Sequence, residues 1–255
     1  VPVAGSSTVA EATPALEVDV RGRRFRSAEG GEVHALGAVA FTLPERSFTC
    51  LTGPSGCGKT TVLRMILGLD RPIDGRVQVN GSGRVAAVFQ EPRLLPWRSV
   101  EDNVRLALPS VDAGRPLGAL FDTLGLAAHR ALLPGELSLG LARRVALARA
   151  FALEPSLILL DEPFVSLDED TAERLRELLL SVWRARPTTV LMVTHDLEEA
   201  VALADRVIVF SAAPGTPRAS IDLAAPRGVR DGPWRVQAAA RLRSERTMVG
   251  VGGLP

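Results

Sequence analysis

Apolar and polar residues alternate with a period of two over Leu16–Val20 and over Val33–Leu43. The Arg- and Gly-rich stretch Arg21–Gly31 lies between them, a pattern of antiparallel strands joined by a loop. Phe48–Thr52 is a third short strand. It runs into Gly53-Pro54-Ser55-Gly56-Cys57-Gly58, too rich in glycine for helix or strand, and then into Lys59–Leu69, where apolar positions fall at helical spacing. Arg76–Val79 and Arg84–Phe89 read as strands on either side of the turn signal Asn80-Gly81. From Glu91 to Leu153 the period becomes helical, predicting helices over Val100–Leu108, Leu117–Leu126 and Leu139–Leu153 with Pro and Gly between them. Strand character resumes at Ser156–Leu160, and an amphipathic helix over Asp168–Arg186, a strand over Thr188–Val193, a helix over Leu197–Ala204 and a strand over Arg206–Phe210 follow. Such alternation predicts a parallel sheet with crossover helices, an α/β fold. The tail carries one short strand near Ala219–Leu223 and one helix near Trp234–Arg243.

Residues 1–14 are small and polar and are expected to form a mobile lead-in to one domain over 15–255. Within that domain, 15–90 is expected to hold a β subdomain and the glycine-rich loop, 91–153 an inserted helical subdomain, 154–214 the rest of the core and 215–255 a tail. Composition narrows the function. At 46% hydrophobic and 23% charged the 255-residue chain has the material for a core. A formal net charge of +1 provides no basic field to attract a polyanion, so no nucleic-acid partner is expected. The longest stretch free of Asp, Glu, Lys and Arg is twelve residues, short of the roughly 20 a membrane helix needs. The amino terminus has no basic region followed by an apolar run, so a cytosolic location is expected. Cys50 and Cys57 are too few for a disulfide scaffold or a zinc site. Of thirty basic residues twenty-nine are arginine, and the one lysine is Lys59. Arg and Lys substitute for each other on a solvated surface but not where a compact point charge is required, which marks Lys59 for chemistry.

Gly53 to Thr60 satisfies G-x-x-x-x-G-K-[ST] between a strand and a helix. There, backbone N–H groups and the helix dipole converge on one point and favour a polyphosphate. Lys59 can neutralise charge on the β- and γ-phosphates and Thr60 can offer its hydroxyl to Mg²⁺. The second site is Leu157-Ile158-Leu159-Leu160-Asp161-Glu162, an apolar run ended by two carboxylates and by Pro163, the form of a buried parallel strand whose carboxyl end faces a ligand crevice. Asp161 is then placed to hold Mg²⁺, and Glu162 to orient or deprotonate a water attacking the γ-phosphate. Gln90, His195, Ser166 and Asp168 sit at element boundaries where a γ-phosphate sensor can be mounted.

From about Leu16 to Phe210 these residues, in this order, resemble the ATP-binding subunit of ABC transporters. The match runs through GPSGCGKTT (Gly53 to Thr61: Gly53, Pro54, Ser55, Gly56, Cys57, Gly58, Lys59, Thr60, Thr61), Gln90, LILLDEP (Leu157 to Pro163), Ser166-Leu167-Asp168 and His195. The resemblance implies a P-loop NTPase core with an antiparallel β subdomain and a helical subdomain. It implies ATP and Mg²⁺ as ligands, Glu162, His195, Lys59 and Gln90 as catalytic, and Thr60, Gln90 and Asp161 at the metal. Phe25 falls where the family stacks an aromatic on adenine, usually a tyrosine, which this chain lacks. Two copies, or one copy and a homologous subunit, would clamp two ATPs, each touching the other subunit's signature motif, normally LSGGQ. Here it reads Leu137-Ser138-Leu139-Gly140-Leu141. Ser138 and Gly140 match and, with Asp168, are assigned to the nucleotide. Leu139 does not match: a branched side chain where the backbone approaches phosphate is expected to slow hydrolysis or make it depend on a partner.

Gln90 to Val100, with Leu94, Leu95 and Trp97, is similar to the region by which importers of nitrate, sulfonate, taurine and related solutes meet their permease. The function expected is therefore an ATPase subunit powering small-solute uptake, peripheral on the inner face of the cell membrane, bound to integral permease subunits and indirectly served by a solute-binding protein. Two alternatives remain: a soluble ABC-type ATPase of DNA repair or translation, and a nucleotide-gated subunit with weak ATPase because of Leu139. The tail from Pro217 has seven arginines against three acids, read as a solvated surface.

Overall fold

Three of the strands are buried along their whole length, and they organise the molecule. The computed structural model describes residues 13–26, 32–70, 74–81 and 83–248. Strands β1 (Leu16–Val20), β2 (Arg23–Arg26), β3 (Glu32–Leu36), β4 (Val39–Leu43) and β5 (Phe48–Thr52) lead to helix α1 (Lys59–Ile66). Strands β6 (Gly75–Val79) and β7 (Val85–Val88) follow, then α2 (Val100–Arg105), α3 (Gly118–Thr123) and α4 (Leu139–Ala152). The second half runs β8 (Leu157–Asp161), α5 (Glu169–Ala185), β9 (Thr189–Thr194), α6 (Leu197–Leu203), β10 (Arg206–Phe210), β11 (Pro217–Asp222) and α7 (Gly232–Met248).

The main sheet has six strands in the order β11-β10-β5-β9-β8-β7. All pairs are parallel except the edge pair β10–β11. Every position of β5, β8 and β9 is buried, as expected for strands covered on both faces. Their side chains divide by the period of two. Ile158, Leu160, Val190, Met192, Val207 and Val209 join one apolar cluster with α4, α5 and α6. Leu157, Leu159, Leu191, Val193, Ile208 and Phe210 join another with α1 and the three-stranded antiparallel sheet β4-β1-β6. α5 follows the same logic at helical period: Ala172, Leu175, Leu179, Val182 and Trp183 are its buried face, and the Asp168 side chain caps it by accepting from Thr171 N–H at 2.9 Å.

The α/β reading holds, and three local expectations are corrected. Val33–Leu43 is two strands in different sheets: β3 pairs with β2 and β4 with β1, with the break at Gly37, where a Cβ would come within 2.6 Å of Thr216. Arg21–Gly31 is partly strand, since β2 occupies Arg23–Arg26; residues 27–31 lie outside the described part. Asn80-Gly81 does not close a hairpin: β6 pairs with β1, and β7 is the far edge of the parallel sheet beside β8. The lead-in expected over residues 1–14 lies outside the described part, except for Thr13 and Pro14. The 117–126 helix is shorter than expected, and the tail strand and helix are longer. The apolar residues of α2, α3 and α4 belong to the same cluster as one face of the main sheet.

Candidate functional site

Sheet register assembles the site. β5 pairs with β9 so that Thr52, the last residue before the glycine-rich loop, faces Thr194, the last before His195. β9 pairs with β8 so that Val193 faces Asp161. Three loops thus leave adjacent parallel strands at the same edge, the crevice position of an open α/β sheet.

In the first loop Gly58 is the N-cap of α1 with φ +97°, and a Cβ there would lie 2.4 Å from Leu36 Cδ2 and 2.7 Å from Ala35 O. The first intrahelical bond runs from Val62 N–H to Gly58 O at 3.0 Å. The N–H groups of Lys59, Thr60 and Thr61 are therefore left to point out of the helix end. Lys59 is buried, and its Nζ donates to Gly53 O at 2.9 Å and Pro54 O at 3.0 Å. These two carbonyls fold the ammonium back over the helix terminus, where helix dipole and charge share one sign. Gly56, at φ +77°, faces open space, since a Cβ there would meet nothing within 4 Å. A cleft of about 250 Å³ lies here, lined by Ala35, Ser55, Gly56, Gly58, Lys59, Thr60, Thr61 and Glu162.

Across the cleft, the Thr60 hydroxyl donates to Asp161 Oδ1 at 3.3 Å. Burial pushes the Asp161 carboxyl above the ordinary carboxylate range; the Thr60 hydrogen bond opposes this, neighbouring Glu162 adds to it, and Lys59 lowers it. A buried carboxylate beside a hydroxyl is an all-oxygen pair suited to a hard cation such as Mg²⁺. Among the described residues no group of three or more His, Cys, Asp or Glu is placed to hold a metal by itself. The outward N–H groups, the ammonium and the open Gly56 likewise fit a triphosphate. Glu162 leaves β8 in the left-handed region at φ +45°, its N–H donating to Val193 O at 2.9 Å. This turn re-aims the side chain toward the cleft, and Glu162 Oε2 lies 3.2 Å from His195 Nδ1.

The structure thus brings together Ser55, Gly56, Gly58, Lys59, Thr60, Thr61, Asp161, Glu162 and His195. Gly53 and Cys57 are buried beneath the loop, and Pro54 contributes its carbonyl. Gln90 is exposed at the end of β7 and does not line the cleft. Phe25 lies on β2 paired with Val33, and its side chain is outside the described residues. Ser138 caps α4, its Oγ accepting from Leu141 N–H at 3.3 Å, and Leu139 and Asp168 are exposed. Neither Ser138, Gly140 nor Asp168 lines the Lys59 cleft. Gly140 has a packing role as well, since a Cβ would meet Thr171 at 2.8 Å. Trp97 is 71% exposed, whereas Leu94 packs on the core. The loop presenting Trp97 is tied by buried Asn103, which accepts from Leu95 N–H and donates to the carbonyls of Leu95, Arg98 and Ser99.

Sequence reasoning missed Ala35, Asn103 and Gly215. A Cβ on Gly215 would lie 1.8 Å from Cys57 O, so a glycine far along the chain backs the phosphate loop. No local signal marks such a residue, because its constraint comes from another element.

Residues 36–165 match the ABC transporter family. The aliphatic sulfonates import ATP-binding protein SsuB 2 of Burkholderia lata is 39% identical over 250 residues, covering 94% of this chain and 89% of that protein. SsuB 2 of Streptomyces avermitilis is 44% identical over 196 residues, covering 77% and 78%. SsuB of Bacillus subtilis is 38% identical over 209 residues, covering 79% and 82%. Among solved structures, a dimeric ATP-binding cassette in a post-hydrolysis state bound to ADP and Pi is similar with a TM-score of 0.69 and 27% identity, covering 83% of this chain and 100% of that one. An ATP-binding subunit of an ABC transporter is similar at 0.71 and 26%, covering 91% and 99%.

Proposed function

The chain belongs to the ABC transporter family, and on that premise we propose that it is the ATP-hydrolysing subunit of an importer for a small sulfonate-type anion. It works through a separate membrane permease, on whose inner face it sits. The names of the relatives, which are sulfonate import proteins, support the solute class. Among the described residues no helix is long and apolar enough to cross a membrane. The observation that carries the ATPase reading is the convergence on one cleft of buried Lys59, the Thr60–Asp161 pair and the Glu162–His195 contact.

In this reading the γ-phosphate lies over the α1 terminus. Lys59 exchanges its bonds to Gly53 and Pro54 for phosphate oxygens and neutralises charge developing on the leaving ADP. Glu162 orients a water in line with the phosphorus and accepts its proton, and His195 holds the Glu162 carboxylate and contacts the γ-phosphate. Thr60, Asp161 and Gln90 would hold Mg²⁺, which supplies charge neutralisation on the phosphates when bound. Phe25 stacks on adenine, and Asp168 adds a polar contact across the dimer. Ser138 and Gly140 complete the cleft of a second copy. Their absence from the lining of their own cleft and the dimeric state of a similar cassette support this. Exposed Trp97, on the loop braced by Asn103, meets the permease. A solute-binding protein delivers the anion to that permease.

The test is ATP hydrolysis and ethanesulfonate uptake by the chain reconstituted with its permease in vesicles. Uptake that needs Mg·ATP and stops on Lys59→Met is the expected result. Permease-independent hydrolysis with no sulfonate flux would overturn the importer assignment. Failure of the wild-type chain to bind Mg·ATP in calorimetry would overturn the site itself.

A further inference from the structure

Arg143 lies on α4, five residues past the Ser138 cap, or about 7.5 Å along the helix axis. It is buried, and its guanidinium donates to three carbonyls of a single turn. Nη1 reaches Glu162 O at 3.3 Å and also Pro163 O, and Nη2 reaches Val165 O at 2.5 Å. Burial lowers the pKa of this guanidinium, and the charge of Glu199 opposes that. Removing a guanidinium from water is costly unless its donors are used. Here Nη1 and Nη2 are used, while Nε stays buried without a hydrogen-bond partner, on a turn in which Glu162 (φ +45°) and Ser166 (φ +61°) are both left-handed, a conformation unfavourable for residues with a Cβ. The same helix repeats the device. Arg149 donates to Pro92 O at 2.8 Å and Arg93 O at 2.9 Å, and Arg93 is itself left-handed at φ +48°.

We propose that Arg143 is a positioning residue for ATP hydrolysis: it fastens the Glu162–Val165 turn to α4, so that the seating of the first turn of α4, with Ser138 and Gly140, is felt at the Glu162 carboxylate. This rests on the reading of Glu162 as the group that activates water. A planar guanidinium spans three carbonyls at once, which a single ammonium cannot do in the same geometry. Among the described residues the hydrogen bonds of Arg143 go to the Glu162–Val165 turn and not to the phosphate loop, so its loss should spare nucleotide binding.

The experiment compares wild type, Arg143→Met and Arg143→Lys, each with Glu162 intact and with Glu162→Gln, in steady-state and single-turnover hydrolysis and in equilibrium ATP binding. With Glu162 intact, Arg143→Met should lower kcat at least tenfold and change ATP affinity less than twofold, with Arg143→Lys between it and wild type. With Glu162→Gln in place, Arg143→Met should lower the residual single-turnover rate less than twofold, because the group it positions is already gone. A merely structural role would give the same loss in both backgrounds, or would lower affinity together with kcat, and either result overturns the proposal. So does a kcat within threefold of wild type. If Arg143→Met does not fold, Arg143→Lys is read by the same criteria with a threefold loss expected and no loss overturning the proposal. Equal rates for wild type and Glu162→Gln would instead overturn the role of Glu162.

Discussion

Replacing Glu162 by Gln separates the chemistry from the architecture. The side chain keeps its length and its place after β8, and the backbone features that aim it, φ +45° and the N–H bond to Val193 O at 2.9 Å, involve no carboxylate. What is lost is a base and the contact with His195 Nδ1 at 3.2 Å, between side chains that are 22% and 53% exposed. A pair so open to water contributes about 0–1 kcal/mol. For a chain of this size that moves Tm by no more than roughly 2–4 °C. A positioned general base contributes roughly 10²–10⁴ in rate, which at about 1.4 kcal/mol per decade is roughly 3–5 kcal/mol of barrier. The expected outcome is therefore a kcat lowered by two to four decades, on the order of the general-base range, with a nearly unchanged melting curve and unchanged ATP affinity. Phosphate release at saturating Mg·ATP, equilibrium nucleotide binding and thermal unfolding measure the three. A kcat within about fivefold of wild type would refute the reasoning from general-base catalysis, as would a rate loss matched by an equal loss of ATP binding.

Three further outcomes follow from the same structure. Burial raises the Asp161 pKa, so the folded chain holds that proton more tightly than the unfolded chain and ionisation at neutral pH costs stability; Asp161→Asn should raise the Tm of the nucleotide-free protein while abolishing the Mg²⁺ dependence of ATP binding, measured by thermal unfolding with and without Mg·ATP. Gly215→Ala should lose about 1–3 kcal/mol by overpacking and weaken ATP binding, since its Cβ would press on Cys57 O, whereas Gly114→Ala, with nothing within 4 Å, should leave both within error. Hydrogen bonds from Arg130, then from Arg105, hold the Glu101 carboxyl down to about 2 from 4.5. A depressed pKa means that this stabilisation is present above pH 4.5 and lost as pH falls toward 2. The three side chains are partly exposed, so Glu101→Gln should destabilise by only about 1 kcal/mol at neutral pH, with the gap to wild type closing in acid denaturation over that window.

Local features were legible in the chain alone. The glycines before Lys59 are needed wherever a helix end must meet phosphate, and the apolar run ending in Asp161 and Glu162 has the form of a strand covered on both faces. The lone Lys59 declared itself against twenty-nine arginines, and periodicity placed β5, β8 and β9. Everything that depends on distant segments waited for the fold. Pairing of β5, β9 and β8 in adjacent parallel register brought Lys59, His195 and Glu162 to one edge, an order that periodicity does not carry. A single alternating run divides between two sheets at Gly37, where Thr216, far along the chain, occupies the space a Cβ would need. Asn80-Gly81 has the chemistry of a hairpin turn, yet pairing of β7 beside β8 separates the strands it joins. Gly215 and Arg143 are ordinary in their own neighbourhoods and acquire meaning only from the carbonyls of Cys57, Glu162, Pro163 and Val165 set against them. Local propensity is a property of neighbours in sequence, whereas close packing and buried hydrogen bonding are satisfied between elements, and only the folded chain specifies those.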